Sequence, residues 1–187
     1  MSSGVDPRAF RQVMSHFATG VTVIASQIGE EVRAMTANAV TSLSLDPLLV
    51  LVCIARQTRM AEFMIQEAGF SINILREDQQ ALSSYFAGSW KESNPPPFRF
   101  VPWGSRPRLE GCLAAIGCEC YQTLEGGDHW VVMGNVVDLY HGIEPHKPLL
   151  FFGGRYNLLS PSRGEPAPDL GWVEAPVQVF YDPWKHD

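Results

Sequence analysis

Apolar residues near the start of the chain recur at the helical period. Phe10, Val13, Met14 and Phe17 stand at i, i+3, i+4 and i+7, and Asp6-Pro7 supplies an N-cap type followed by a helix-opening proline. This pattern predicts an amphipathic helix over 7–18. Past Gly20 the chain turns β-branched, so Val21 to Ser26 reads as a strand that returns, after a turn at Gly29-Glu30, through Val32 to Thr36. Pro47 to Ile54 is apolar on both faces, as in a central strand. Thr58 is placed to cap a short helix burying Met60, Phe63 and Met64; Phe70 to Leu75 follows as a strand, and Asp78 is placed to cap a helix ending near Phe86. Ser93 to Phe98, with three prolines, reads as a surface loop. Two long strands near 110–122 and 129–140 flank a hairpin signal at Glu125-Gly126-Gly127-Asp128, and Leu149 to Phe152 is a late short strand. Six or seven strands, mostly antiparallel, with three covering helices predict a mainly β chain whose sheet closes into a barrel.

Composition narrows the function classes. The chain has 187 residues and a net charge of −6, and only three of its 14 cations are Lys. An acidic, Lys-poor chain does not suit a nucleic-acid backbone, which is bound by clustered cations. The longest apolar run, Pro47 to Ala55, is far shorter than the roughly 20 residues that span a bilayer, and the N-terminus lacks a signal-peptide pattern. Cys53, Cys112, Cys118 and Cys120 form no C-x-x-C pair. A reduced, cytoplasmic protein without disulfide or structural metal is expected. Neither a dinucleotide-binding glycine fingerprint nor a P-loop is present.

Four polar clusters remain. Thr36-Ala37-Asn38-Ala39-Val40-Thr41-Ser42-Leu43-Ser44 is small, hydroxylated and neutral, which suits the edge of a heteroaromatic ring, or an irregular loop or β-bulge whose hydroxyls satisfy their own backbone. Arg56-Gln57-Thr58-Arg59 lies between a strand and a helix, where a phosphate or ordinary surface ion pairs would fit. Gly127-Asp128-His129 places a carboxylate beside an imidazole. Gly153-Gly154-Arg155-Tyr156 combines close backbone approach, a cation and a stacking face.

In their order these segments resemble the short-chain flavin reductase family, the reductase components of two-component flavin monooxygenases. The resemblance rests on Phe10 to Met14, Phe17 to Val23, Thr36 to Pro47, the strand ending at Arg56, Ser83 to Gly88, Gly127 to His129 and Gly154 to Tyr156, and it covers roughly 8–158. It implies a split β-barrel domain over 1–158 that binds FMN or FAD as a homodimer, with NADH or NADPH as hydride donor and a monooxygenase as partner. It also implies a set of contacts. Thr36, Ala37, Asn38, Ala39, Val40, Thr41 and Ser42 would meet the isoalloxazine edge. Cys53, Ala55, Arg56 and Thr58 would follow the ribityl chain and phosphate, and Asn73, Ser84, Phe86 and Ala87 would complete the pocket. Asp128 and His129 would receive the nicotinamide, with His129 as the candidate catalytic residue, and Arg155 and Tyr156 would lie near either nucleotide. Ala39-Val40 departs from the Ser-Phe common in the family, and a single Pro47 stands where two prolines are usual. The alternatives are a flavin carrier without turnover, or a flavoenzyme reducing a corrinoid or ferric chelate. Residues 159–187, with Trp172, Phe180, Tyr181 and Trp184, are expected to pack on the barrel or on a second subunit.

Overall fold

The computed structural model describes residues 4–66, 69–143 and 146–160; the aromatic residues of the C-terminal extension lie outside them. Helix α1 (Pro7–Met14) is followed by β1 (Thr19–Gly20), β2 (Thr22–Ile28), β3 (Glu31–Ala37), β4 (Val40–Leu45) and β5 (Leu48–Ala55). Next come α2 (Arg59–Ile65), β6 (Phe70–Ile74), α3 (Gln80–Phe86), β7 (Phe100–Trp103) and β8 (Arg106–Leu109). The long hairpin β9 (Ala114–Gly126) and β10 (His129–His141) leads to β11 (Leu150–Phe152) and β12 (Arg155–Asn157).

Seven strands form one antiparallel sheet in the order β3-β2-β6-β9-β10-β5-β4. Its two edge strands are consecutive in sequence and joined only by Asn38 and Ala39. Six steps of about 4.8 Å would hold these edges roughly 29 Å apart in a flat sheet. Three Cα–Cα links reach at most about 11 Å. The sheet must therefore curl until its edges nearly meet, giving a barrel that is split between β3 and β4. Helix α2 fills the interior, touching β2, β3, β5 and β9 with Met60, Phe63 and Met64 buried against Ile24, Val52, Ile54, Phe70 and Ile72. A second core of Val21, Val23, Leu75, Leu82, Leu109 and Leu149 lies on the other side of β2, so this strand is buried on both faces.

The structure corrects several expectations. The first helix stops at Met14, and its apolar stripe is solvent-facing: Phe10 and Val13 are 58% and 69% exposed. The stretch from Val40 is an edge strand whose register shifts between Ser42 and Ser44, so of the readings of this segment the β-bulge holds and the irregular loop does not. The third helix starts at Gln80 with no side-chain cap, because the Asp78 carboxylate is held by Arg76 at 2.8 Å; that guanidinium keeps Asp78 below the usual carboxylate range. The described residues form twelve strands rather than six or seven, chiefly because β1, β7, β8 and β12 are too short to give a periodic signal; the late strand read from Leu149 to Phe152 is β11.

Asn73 also departs from its expected place in the pocket. It is fully buried; its Nδ2 donates to Val23 O and Ser71 Oγ, both at 2.9 Å, and its Oδ1 accepts from Leu109 N at 2.8 Å. The amide cross-links β2, β6 and β8 and has no exposed atom to offer a ligand. Asn73→Ala would leave buried backbone groups unpaired, so urea unfolding should show a loss of about 2–3 kcal/mol. An undiminished midpoint would contradict this role.

Candidate functional site

The two residues that bridge the split separate two cavities. One, of about 640 Å³, is lined by Met14, Phe17, Thr19, Asn38, Ala39, Val40, Thr41, Leu51 and Cys53, among others. The other, of about 370 Å³, is lined by Thr36, Ala37, Asn38, Ser83, Ala87, Phe151 and Tyr156, among others. Asn38 borders both. Among the described residues no charged side chain lines either cavity, and both volumes fall within the roughly 300–1,000 Å³ of small-molecule sites.

The strand geometry explains the lining. Ala39 O accepts from Cys53 N at 3.0 Å, which ties the bridge to the central strand. Along β5, Leu51, Cys53 and Ala55 alternate with the core residues Val50, Val52 and Ile54, so they share the face opposite the interior. Directly across on β10, Val131 pairs with Cys53 and His129 with Ala55. His129 thus stands on the same sheet face as Cys53, about 6–7 Å further along the strand direction. On β3, Thr36 lies under α3 and donates its hydroxyl to Ser83 O at 2.7 Å. Ser83 Oγ meets the Tyr156 hydroxyl at 2.9 Å, and the Tyr156 ring packs edge-on against Phe151.

At the hairpin tip, Gly127 adopts φ +72°, which favours glycine in this two-residue turn. Asp128 Oδ1 lies 2.7 Å from His129 Nδ1, and the imidazole keeps the carboxyl below its ordinary range. An ionised carboxylate only accepts, so Nδ1 carries the proton and a neutral His129 presents Nε2 as an acceptor. Arg56 sits beside the same tip, its backbone N–H donating to Asp128 O at 3.0 Å. Its guanidinium lies 4.5 Å over the Trp130 ring, and Nη2 is 3.3 Å from Glu125 Oε1.

The expected residues divide accordingly. Thr36, Ala37, Asn38, Ala39, Val40, Thr41, Cys53, Ala87 and Tyr156 converge on the split. Ala55, Arg56, Asp128 and His129 cluster at the adjoining end of the β5–β10 pair. Thr58 caps α2 as its sequence position predicts: its hydroxyl accepts from Ala61 N and donates to Ala55 O. Phe86 turns into an aromatic group with Tyr85, Phe98 and Phe100 and lines a third cavity. Ser42, Ser84 and Arg155 border neither of the two cavities at the split. Ser83 takes the place expected of Ser84, and the i, i+4 spacing from Ser83 to Ala87 is the signal that would have found it. Leu51 and Ile74 were legible only as core strand positions.

The flavin reductase like domain model matches residues 14–160, and the structure supplies the geometry that such a domain needs. The chain belongs to the flavin reductase-like family. It is 36% identical over 151 residues to the reductase component of 4-hydroxyphenylacetate 3-monooxygenase from Thermus thermophilus, an alignment covering 81% of this chain and 95% of that one. The solved flavin reductase PheA2 in its native state superposes with a TM-score of 0.78 at 41% identity, covering 84% of this chain and all of that one. The Streptomyces globisporus NADH:FAD oxidoreductase SgcE6, solved with NAD and FAD fragments, superposes with a TM-score of 0.76 at 30% identity, covering 87% of this chain and 100% of that one.

Thiol reactivity reports on the split barrel without a functional assay. Cys112 and Cys118 are buried, and desolvation pushes the Cys118 thiol up to about 12, whereas Cys53 and Cys120 are half-buried. Iodoacetamide at pH 8 should alkylate Cys53 and Cys120 well before the other two, as read by peptide mass spectrometry. Excess FMN should slow only Cys53; equal protection of Cys53 and Cys120 would count against a ring beside β5.

Proposed function

We propose that this flavin reductase-like enzyme transfers hydride from NADH or NADPH to FMN or FAD and supplies the reduced flavin to a monooxygenase. The observation that carries this reading is the neutral, small-residue bridge Asn38-Ala39 standing between two cavities at the split. A flat heteroaromatic ring fits such a place because short side chains let the backbone approach, and the exposed Asn38 amide offers both donor and acceptor. When bound, the flavin supplies the hydride-accepting chemistry, so the protein needs no nucleophile of its own.

The chain's own residues then bind, orient and shield. Thr36, Asn38 and Thr41 flank the ring edge with uncharged groups, and Cys53 with Leu51 forms the apolar floor beneath it. Arg56, held over Trp130, and the exposed Arg59 are the cations nearest this end of β5 for a phosphate tail. His129 is a positioning residue: its Nε2, left free by the Asp128 contact, accepts from the carboxamide of the nicotinamide and sets the ring for transfer. The apolar stripe of α1 runs into the first cavity through Met14 and Phe17 while Phe10 and Val13 remain exposed, and a homodimer would cover it. The segment from 159 onward would pack on this barrel or on the second copy.

Anaerobic assays with NADH, NADPH, FMN and FAD test the reading. Nicotinamide absorbance should fall much faster than without protein; a rate equal to the blank would favour a flavin carrier. Faster reduction of a corrinoid or ferric chelate than of free flavin would reassign the acceptor. His129→Ala should raise KM for the nicotinamide nucleotide about tenfold with kcat largely kept. Complete loss of turnover at saturating nucleotide would place His129 in the chemical step instead. Light scattering after size exclusion should give twice the mass of one chain, and Phe10→Lys with Val13→Glu should shift it toward monomer.

A further inference from the structure

Two arginines on one short strand stand apart from the site at the split. Arg106 and Arg108 alternate on β8 and so share a face. Arg106 is 93% buried, and the Nε and Nη1 atoms of both side chains are enclosed without a hydrogen-bond partner among the described residues. Arg33, Arg56, Arg76 and Arg99, by contrast, each pair with a carboxylate. Arginine cannot shed its proton, so burial does not neutralise it.

The surroundings hold the guanidinium faces, and Cys112 lies within side-chain hydrogen-bond reach of Arg108, while Nε and Nη1 of both arginines stay without a partner among the described residues. Arg108 lies 3.7 Å over the Tyr140 ring and 6.0 Å from the Trp103 ring. Arg106 rests where three glycines leave room: a Cβ on Gly117 would come within 3.0 Å of its Nη1, one on Gly104 within 3.2 Å of its Nη2, and one on Gly69 within 3.9 Å of its Nε. Cation–π contacts engage only the flat face of a guanidinium, whereas its N–H groups point outward in the plane. Of the neighbouring carboxylates, Glu110 is bound by Arg99 at 2.7 Å, while Asp138, beside the same Gly117, accepts from Leu139 N at 2.9 Å through Oδ1 and makes no ion pair with either guanidinium among the described residues. Burial raises the Cys112 thiol, which therefore stays neutral.

We propose that Arg106 and Arg108, framed by Trp103 and Tyr140, form an oxyanion-binding site separate from the flavin cradle. The ligand chemistry is a carboxylate or phosphate taken by two guanidinium edges. One source is the chain itself: residues 161–187 carry Glu165, Asp169, Glu174, Asp182 and Asp187 against only Arg163 and Lys185. The described chain ends at Ser160, close to the last residues anchored on the barrel. Leu159 O is held by Lys147 Nζ at 3.2 Å, Lys147 O by Glu77 N at 2.9 Å, and the adjacent Arg76 would lie 4.0 Å from a Cβ on Gly111, the neighbour of Cys112. Glu165, six residues past Leu159, reaches about 20 Å. The other source is free phosphate.

Thermal unfolding of the full-length protein in rising sodium phosphate, with ionic strength held constant by sodium chloride, distinguishes the sources. The variants are R106M/R108M and a chain with E165Q, D169N, E174Q, D182N and D187N combined. If the segment fills the site, the wild type ignores phosphate, while the neutralised chain gains at least about 2 °C in Tm saturably. If free phosphate fills it, the wild type itself shows that gain. In both cases R106M/R108M abolishes the response, which separates it from phosphate bound near Arg56. Phenylglyoxal labelling, mapped by mass spectrometry on folded wild-type and neutralised protein, serves if the arginine variant does not fold: phosphate or the intact segment should shield Arg106 and Arg108 several-fold. No arginine-dependent gain in either protein, or equal labelling under all conditions, overturns the proposal.

Discussion

A two-residue bridge between the opposite edges of a seven-stranded sheet constrains everything else in this protein. Because Asn38 and Ala39 cannot reach across a flat sheet, β3 and β4 are drawn together, the sheet wraps around α2, and a seam is left where edge strands approach without pairing. Unpaired strand edges are normally a liability. Here the seam becomes the place where small polar side chains, free backbone groups and two cavities meet. The interior helix and the seam are linked: α2 holds the curled sheet open with Met60, Phe63 and Met64, and Thr58, which caps it, follows directly on the strand that carries Cys53.

The chemistry fits that architecture because it needs so little from the protein. Hydride passes between two cofactor rings, so the chain contributes contact surface, alignment and exclusion of water. A lining that, among the described residues, carries no ionised group avoids the desolvation cost that a charged residue would bring to an apolar crevice. Charge is kept at the end of the β5–β10 pair, where Arg56 is steadied by Trp130 and Glu125 and His129 by Asp128.

Much of the fold was legible in the sequence where periodicity is long. The strands from Val21, from Pro47 and from Phe70, and the hairpin around Gly127, emerged from β-branched runs and turn residues. The short strands β7, β8 and β12 did not, since three or four residues cannot display a period. The site divided along the same line. Thr36 to Thr41 and Cys53 were visible by composition and family order and converge at the seam. Asn73 was misplaced because an amide in a strand looks alike whether it faces a ligand or three backbone neighbours; only tertiary pairing with Val23, Ser71 and Leu109 decides. Ser83 and Ser84 differ by one position on a helix, and the 100° between them depends on where α3 packs. The buried arginines of β8 gave no sequence signal, because burial of a charge is a property of the assembled sheet.

The most direct measurement is a crystal structure of the protein with FMN bound. The account predicts the isoalloxazine edge against residues 36–41, its apolar face over Cys53, and the phosphate toward Arg56. A ring found instead in the aromatic cavity of Phe86, Phe98 and Phe100, with the seam empty, would contradict it.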